Sequence, residues 1–152
     1  MKSMQGLIRV LVISVLLSGC AVRGPEMPAE PMTASVELDG SPALSLLHKA
    51  EAARQQGETA AAERYLERAL NIAPDSSWLY KTLADLRLFE GDARGAEGFA
   101  LKALRLAPDY PQYRAELWEM VATARERQGN KAGADDARER AAKALEPRTQ
   151  PV

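Results

Sequence analysis

Residues 57–74 read GETAAAERYLERALNIAP, and residues 91–108, thirty-four positions on, read GDARGAEGFALKALRLAP. Gly57 aligns with Gly91, Ala62 with Ala96, Ala69 with Ala103, Leu70 with Leu104, Ala73 with Ala107 and Pro74 with Pro108, all at one offset. A weaker third copy keeps the internal spacing at Gly129, Ala134 and Ala141. Self-similarity at a fixed period of this length marks an array of stacked helical units. Inside each copy a glycine is followed by Glu58, Asp92 or Asn130. Glycine accepts the left-handed backbone that ends one helix, and Asp or Asn caps the next. Pro74-Asp75 and Pro108-Asp109 separate successive units.

The spacing predicts helices over 42–56 and 59–72, 77–90 and 93–106, and 111–128 and 131–145. Ser41 and Pro42 suit the start of the first, as a cap and as a residue whose missing N–H costs nothing there. The third copy starts four residues late, which predicts one extra turn at 110–116. The last helix, KAGADDARERAAKALE, is polar on most sides and suits a solvated end to the array.

The three units resemble tetratricopeptide repeats, whose pattern is W-x2-L-G-x2-Y, then A-x3-F, then a second Ala and a Pro. The second unit matches at Tyr80, Leu83, Ala84, Ala96, Ala103 and Pro108. The third matches at Trp118, Val121, Ala122, Ala134 and Ala141, and the first at Leu46, Ala50, Ala62, Leu66, Ala69 and Pro74. Lys49, Arg87, Arg125 and Arg138 depart from the pattern, standing where apolar residues are usual. The resemblance implies an all-α fold of three antiparallel helix-turn-helix units stacked as a short right-handed solenoid.

The resemblance also implies a concave groove lined by the first helix of each unit. By helical spacing its residues are Leu47, Glu51 and Arg54, then Trp78, Lys81, Asp85, Leu88 and Phe89, then Glu119, Thr123, Glu126 and Arg127. Trp78, Leu88 and Phe89 are open to two readings, a partner interface or packing between repeats or copies. Leu47 and Glu51 occupy the face from which chaperone-binding members clamp a peptide carboxylate with lysine and asparagine, so that mode is not expected.

The N-terminal residues 1–20 read MKSMQGLIRVLVISVLLSGC. Lys2 and Arg9 precede or flank an apolar run over 10–17, as in a secretory signal peptide. The run is far short of the roughly 20 residues that cross a bilayer as a helix. Leu17, Ser18, Gly19 and Cys20 resemble the bacterial lipobox. That resemblance implies cleavage before Cys20, a diacylglycerol on its thiol and a further acyl chain on the new amino group. Two or three acyl chains hold a protein stably on a membrane, at about 0.8 kcal/mol per buried methylene. Ala21, rather than Asp, after the cysteine implies the outer membrane, facing the periplasm. The expected organisation is a signal peptide over 1–19, the lipidated Cys20 with a flexible Pro-rich tether to 40, the repeat domain over 41–147 and a disordered tail over 148–152. Pro25, Pro28 and Pro31 keep the tether from forming a helix.

Composition narrows the rest. Without Lys2 and Arg9 the chain holds 18 basic and 21 acidic residues, no basis for a nucleic-acid face. One cysteine excludes an internal disulfide. His48 is the only histidine, lies beside Leu46 and Leu47 and has no obvious nucleophile to serve, Gly91 and Gly95 lack the rest of a phosphate loop, and adjacent Asp135 and Asp136 diverge on a helix. No catalytic or metal site and no cofactor is expected beyond the acyl chains on Cys20. The expected function is a lipid-anchored periplasmic adaptor that binds a protein or peptide of the envelope, with assembly of secretion, pilus or envelope-synthesis machinery as its setting. The alternative is a structural lipoprotein whose apolar groove face closes a homodimer.

Overall fold

The computed structural model describes residues 31–146. The signal peptide, the lipobox with Cys20, most of the tether and the tail over 148–152 lie outside the described residues. A short turn of helix, α1 (Ala34–Glu37), comes first. Three helical hairpins follow: α2 (Pro42–Gln55) with α3 (Thr59–Ile72), α4 (Ser77–Glu90) with α5 (Ala93–Leu106), and α6 (Pro111–Arg127) with α7 (Lys131–Ala144). The hairpin helices meet the spans read from the sequence to within one residue, and no strand occurs among the described residues.

Local chemistry explains the boundaries. The Ser41 side chain accepts from the Ala43 N–H at 3.2 Å, and Pro42 opens α2. Asp92 and Asn130 cap α5 and α7 by accepting from Gly95 and Gly133. Gly57, Gly91 and Gly129 make the turns at φ of 78°, 85° and 78°, where a side chain would strain the backbone. The extra turn of α6 is present: it has 17 residues where the other hairpin helices have 14. That turn carries Tyr113, which is buried and reaches back over the start of α4.

The repeated alanines do the packing. Ala62, Ala96 and Ala134 are at most 1% exposed, so nothing beyond a methyl group stands between the two helices of a hairpin. Larger side chains fill the layers between hairpins. Leu79, Leu83 and Leu86 of α4 pack with Leu47, Leu66 and Ala69. Leu117 and Val121 of α6 pack with Ala100, Ala103 and Leu104. Trp78, Tyr80 and Phe99 border both clusters and make the core continuous.

Two of the arginines that break the repeat pattern form matching ion pairs between hairpins. Arg87 on α4 binds Glu63 on α3, and also Glu90. Arg125 on α6 binds Glu97 on α5 at 2.7 Å and donates to the Gly133 carbonyl at 3.0 Å. Each guanidinium is about one-fifth exposed, so the pair lies at the edge of the core rather than in open water. Burial disfavours the charge on Glu97, but hydrogen bonds from Arg125 and Gln128 outweigh it and hold the carboxyl below its ordinary range. A depressed carboxyl stabilises the fold fully above the unperturbed value of 4.5 and loses that contribution as pH falls through the folded-state value.

Two measurements check this packing. Ala96→Leu lowers stability by about 1–3 kcal/mol in urea unfolding followed by circular dichroism, whereas Ala132→Leu on the exposed side of α7 changes it by no more than about 0.5 kcal/mol. Glu97→Gln lowers stability at pH 7 and makes the remaining stability less steep below pH 4.5 than in the parent chain.

Candidate functional site

The residues read as a groove do not form one surface. Leu47 is a correction: it is 0% exposed and belongs to the core cluster that Leu46 and Ala50 of α2 share with Leu66 of α3 and with Leu79 and Leu83 of α4. Glu51 and Arg54 are half-buried on α2 and line none of the clefts shared with α6. On α4, Trp78 stacks on Tyr113 with ring centres 5.4 Å apart and planes within 7°, and the Lys81 ammonium lies over its ring at 5.1 Å. Its surface is largely spent on the chain itself. Lys81 also pairs with Asp85 at 3.6 Å.

Further along, the Arg127 guanidinium donates to the Leu88 carbonyl, which brings α6 to the end of α4. Phe89 beside it is 58% exposed. Thr123 bonds back to the Glu119 carbonyl, and Glu126 binds Arg138 of α7. Among the nominated residues, Leu88, Phe89 and Arg127 form a patch at the turn end, while Lys81 of α4 and Glu119 at the middle of α6 form a second group.

The second group lines a cleft of about 690 Å³ between α6 and α7. Ala115 and Met120 of α6, with Ala141 and Ala142 of α7 and Leu145 just beyond, make an apolar floor. Lys81, Gln112, Glu116, Glu119 and Arg138 make a polar rim. Leu145 is 53% exposed, so the last helix is not polar throughout: its final turn presents an apolar edge. The spacing of Ala141, Ala142 and Leu145 was the available signal, masked by the charged residues around it.

A second correction concerns the tether. Residues 31–40 belong to the fold, with Met32 at 8% and Leu38 at 3% exposure. Glu37 sits at the N-terminus of α4. It accepts from the Ser76 and Ser77 hydroxyls and, at 3.0 Å, from the Trp78 N–H. The N-terminal end of a helix carries free N–H groups and partial positive charge, and a carboxylate satisfies both. The single Ser77 hydroxyl hydrogen goes to Glu37, so the Tyr113 hydroxyl donates to Ser77 across 3.1 Å. Burial pushes the Tyr113 phenol well above its ordinary value, which keeps it a donor. Met32 meanwhile packs among Ala84, Tyr113 and Leu117. The segment crosses the first helices as a strap, joining α1, α4 and α6 through one polar network. A single helical turn has no periodicity to read, so the sequence pattern did not reveal it.

With this geometry in view, the profile of the tetratricopeptide repeat family matches residues 53–117. The globular C-terminal domain of LpoP from P. aeruginosa superimposes with a TM-score of 0.65 at 43% identity, covering 98% of that domain and 69% of this chain. The chain belongs to the tetratricopeptide repeat family. The N-terminal domain of stress-induced protein-1 from C. elegans also superimposes, at a TM-score of 0.65 and 17% identity over 68% of this chain and 84% of that one, a likeness of fold alone. No curated protein matches the chain. The repeat family explains the Gly, Ala and Pro lattice, whereas the strap and the cleft follow from contacts outside that lattice.

Glu37→Gln places an amide among three donors and costs about 1–3 kcal/mol in urea unfolding, with a shift in Trp78 emission. Tyr113→Phe leaves Ser77 bonded to Glu37 and costs less, about 1 kcal/mol.

Proposed function

We propose that this protein is a lipid-anchored adaptor of the bacterial envelope, held through Cys20 at the periplasmic face of the outer membrane and binding a protein partner. The observation that carries the binding role is the open apolar cleft between α6 and α7, with its charged rim. A cleft with an apolar floor and polar rim has the composition of a protein-docking surface. Phe89, exposed at the turn end, adds a second point of attachment. The LpoP likeness supports the reading in one respect: the region of this chain that matches is the folded array, and the matched relative is a globular C-terminal domain.

The anchor reading rests on Leu17, Ser18, Gly19 and Cys20. Residues 21–30 separate Cys20 from the strap and act as a spacer. Beyond that point the array, not the spacer, carries the binding groups. The setting we favour is assembly of secretion, pilus or envelope-synthesis machinery. The chain supplies position and contact in that setting, with no chemistry of its own. A homodimer closed through Phe89 or Leu145 is the competing reading, since both large apolar side chains are more than half exposed.

Two experiments test the proposal. Cells fed labelled palmitate incorporate it into the parent chain and not into Cys20→Ser; equal labelling of the two removes the anchor. A photo-crosslinking residue introduced at Lys81, Phe89, Glu119 or Leu145 captures one defined envelope protein in cells, while the same residue at exposed Ala132 captures none. Absence of a specific adduct at all four positions removes the adaptor.

A further inference from the structure

We infer that the terminal cleft is the seat of a helix supplied by the partner protein, amphipathic and basic along the edge that meets Glu116 and Glu119. The inference rests on the adaptor reading and names the chemistry of the partner.

The array itself supplies the template. On α3, Leu66 and Leu70 face the next hairpin and are buried or half-buried by α4; on α5, Ala100 and Leu104 are buried in the same way by α6. The matching positions on α7 are Arg138 and Ala142, and both are exposed. Leu145, matching Ala73 and Ala107, is exposed as well, whereas those two are half-buried. No helix among the described residues covers this side of α7. Twice in this molecule a helix lies in the equivalent place, so the vacant position has the length and direction of a helix, and the apolar floor calls for an apolar stripe at three- and four-residue spacing.

Charge sets the remaining feature. The two cations at the rim are already engaged: Lys81 with Asp85 at 3.6 Å, and Arg138 with Glu126 and, at 3.3 Å, with Asp135. Glu116 and Glu119 are both exposed and form no direct ion pair among the described residues, although Glu119 lies near enough to Arg138 to favour its charge. The rim is therefore acidic where an incoming helix passes α6, and lysine or arginine beside its apolar stripe complements it. A second copy fits less well, because a two-fold contact through this face brings the same acidic edge toward itself.

The probes are fluorescein-labelled peptides of about five turns with leucine at helical spacing. One is flanked by lysine, one by glutamate in its place, and one is the lysine peptide in scrambled order. Each is titrated against the full chain by fluorescence anisotropy. The ordered lysine peptide binds roughly tenfold or more tightly than either control. Leu145→Lys removes that advantage with the circular dichroism unchanged, and Glu116→Lys with Glu119→Lys transfers it to the glutamate peptide. Equal binding of ordered and scrambled peptides, or binding indifferent to Leu145→Lys, overturns the inference. So does a dimer in sedimentation that Leu145→Lys dissolves, since the face then belongs to a second copy. If the peptides fail while cross-linking at Phe89 still captures an envelope protein, the adaptor stands and only this seat is lost.

Discussion

Close approach of backbones at Ala62, Ala96 and Ala134 is the constraint on which the rest of this structure depends. A methyl group lets the two helices of a hairpin come together, and each hairpin then offers a flat apolar side to the next. An isolated hairpin of two 14-residue helices buries too little to be stable in water. Stacking three of them makes one continuous core, with Trp78, Tyr80 and Phe99 bridging its two halves.

Polar groups supply what the alanine-rich layers lack. Arg87 and Arg125 stand where apolar side chains are usual in the repeat, yet each spans a hairpin boundary and meets a glutamate on the preceding helix. The two glutamates, Glu63 and Glu97, recur at the repeat period, so the exchange of an apolar contact for a charged one was made twice. Such pairs contribute modest stability but penalise a wrong register, since a shifted hairpin leaves a partly buried charge without its partner. The strap acts in the same sense. Glu37 and Met32 join the segment before the repeats to α4 and α6, so the array is tied along its first helices and, among the described residues, uncovered at α7.

That asymmetry positions the cleft. Where the strap, Trp78 and Tyr113 fill the space beside α4, little surface is left for a partner. Past α6 no described element lies over α7, and Ala142 and Leu145 keep the apolar character of their counterparts without the cover. Arg138 stands in this row where Leu66 and Ala100 stand on the earlier helices, and it pairs with Glu126 and Asp135.

The six hairpin helices, their ends and their pairing were legible because they depend on residues close in sequence. Glycine at a left-handed turn, an Asn or Asp cap and a period of thirty-four each act over a few turns of chain. Which side chains face outward was legible only in part. Leu47 lies on the side of α2 that helical spacing assigns to the groove, and it is buried in a core shared with side chains of α3 and α4, a grouping of distant segments that no local pattern encodes. The strap and the cleft belong to the same class. Carboxylate Glu37 meets Ser76 and Ser77 some forty residues on, and the floor of the cleft brings Ala115 and Met120 of α6 together with Ala141 and Ala142 of α7, a side that no helix among the described residues covers. The sequence by itself determined the repeating hairpin, since local hydrogen bonding and side-chain size suffice for it. The tertiary structure alone decided which faces the hairpins spend on one another and which they leave for something else, since that follows from the order in which helices cover their neighbours.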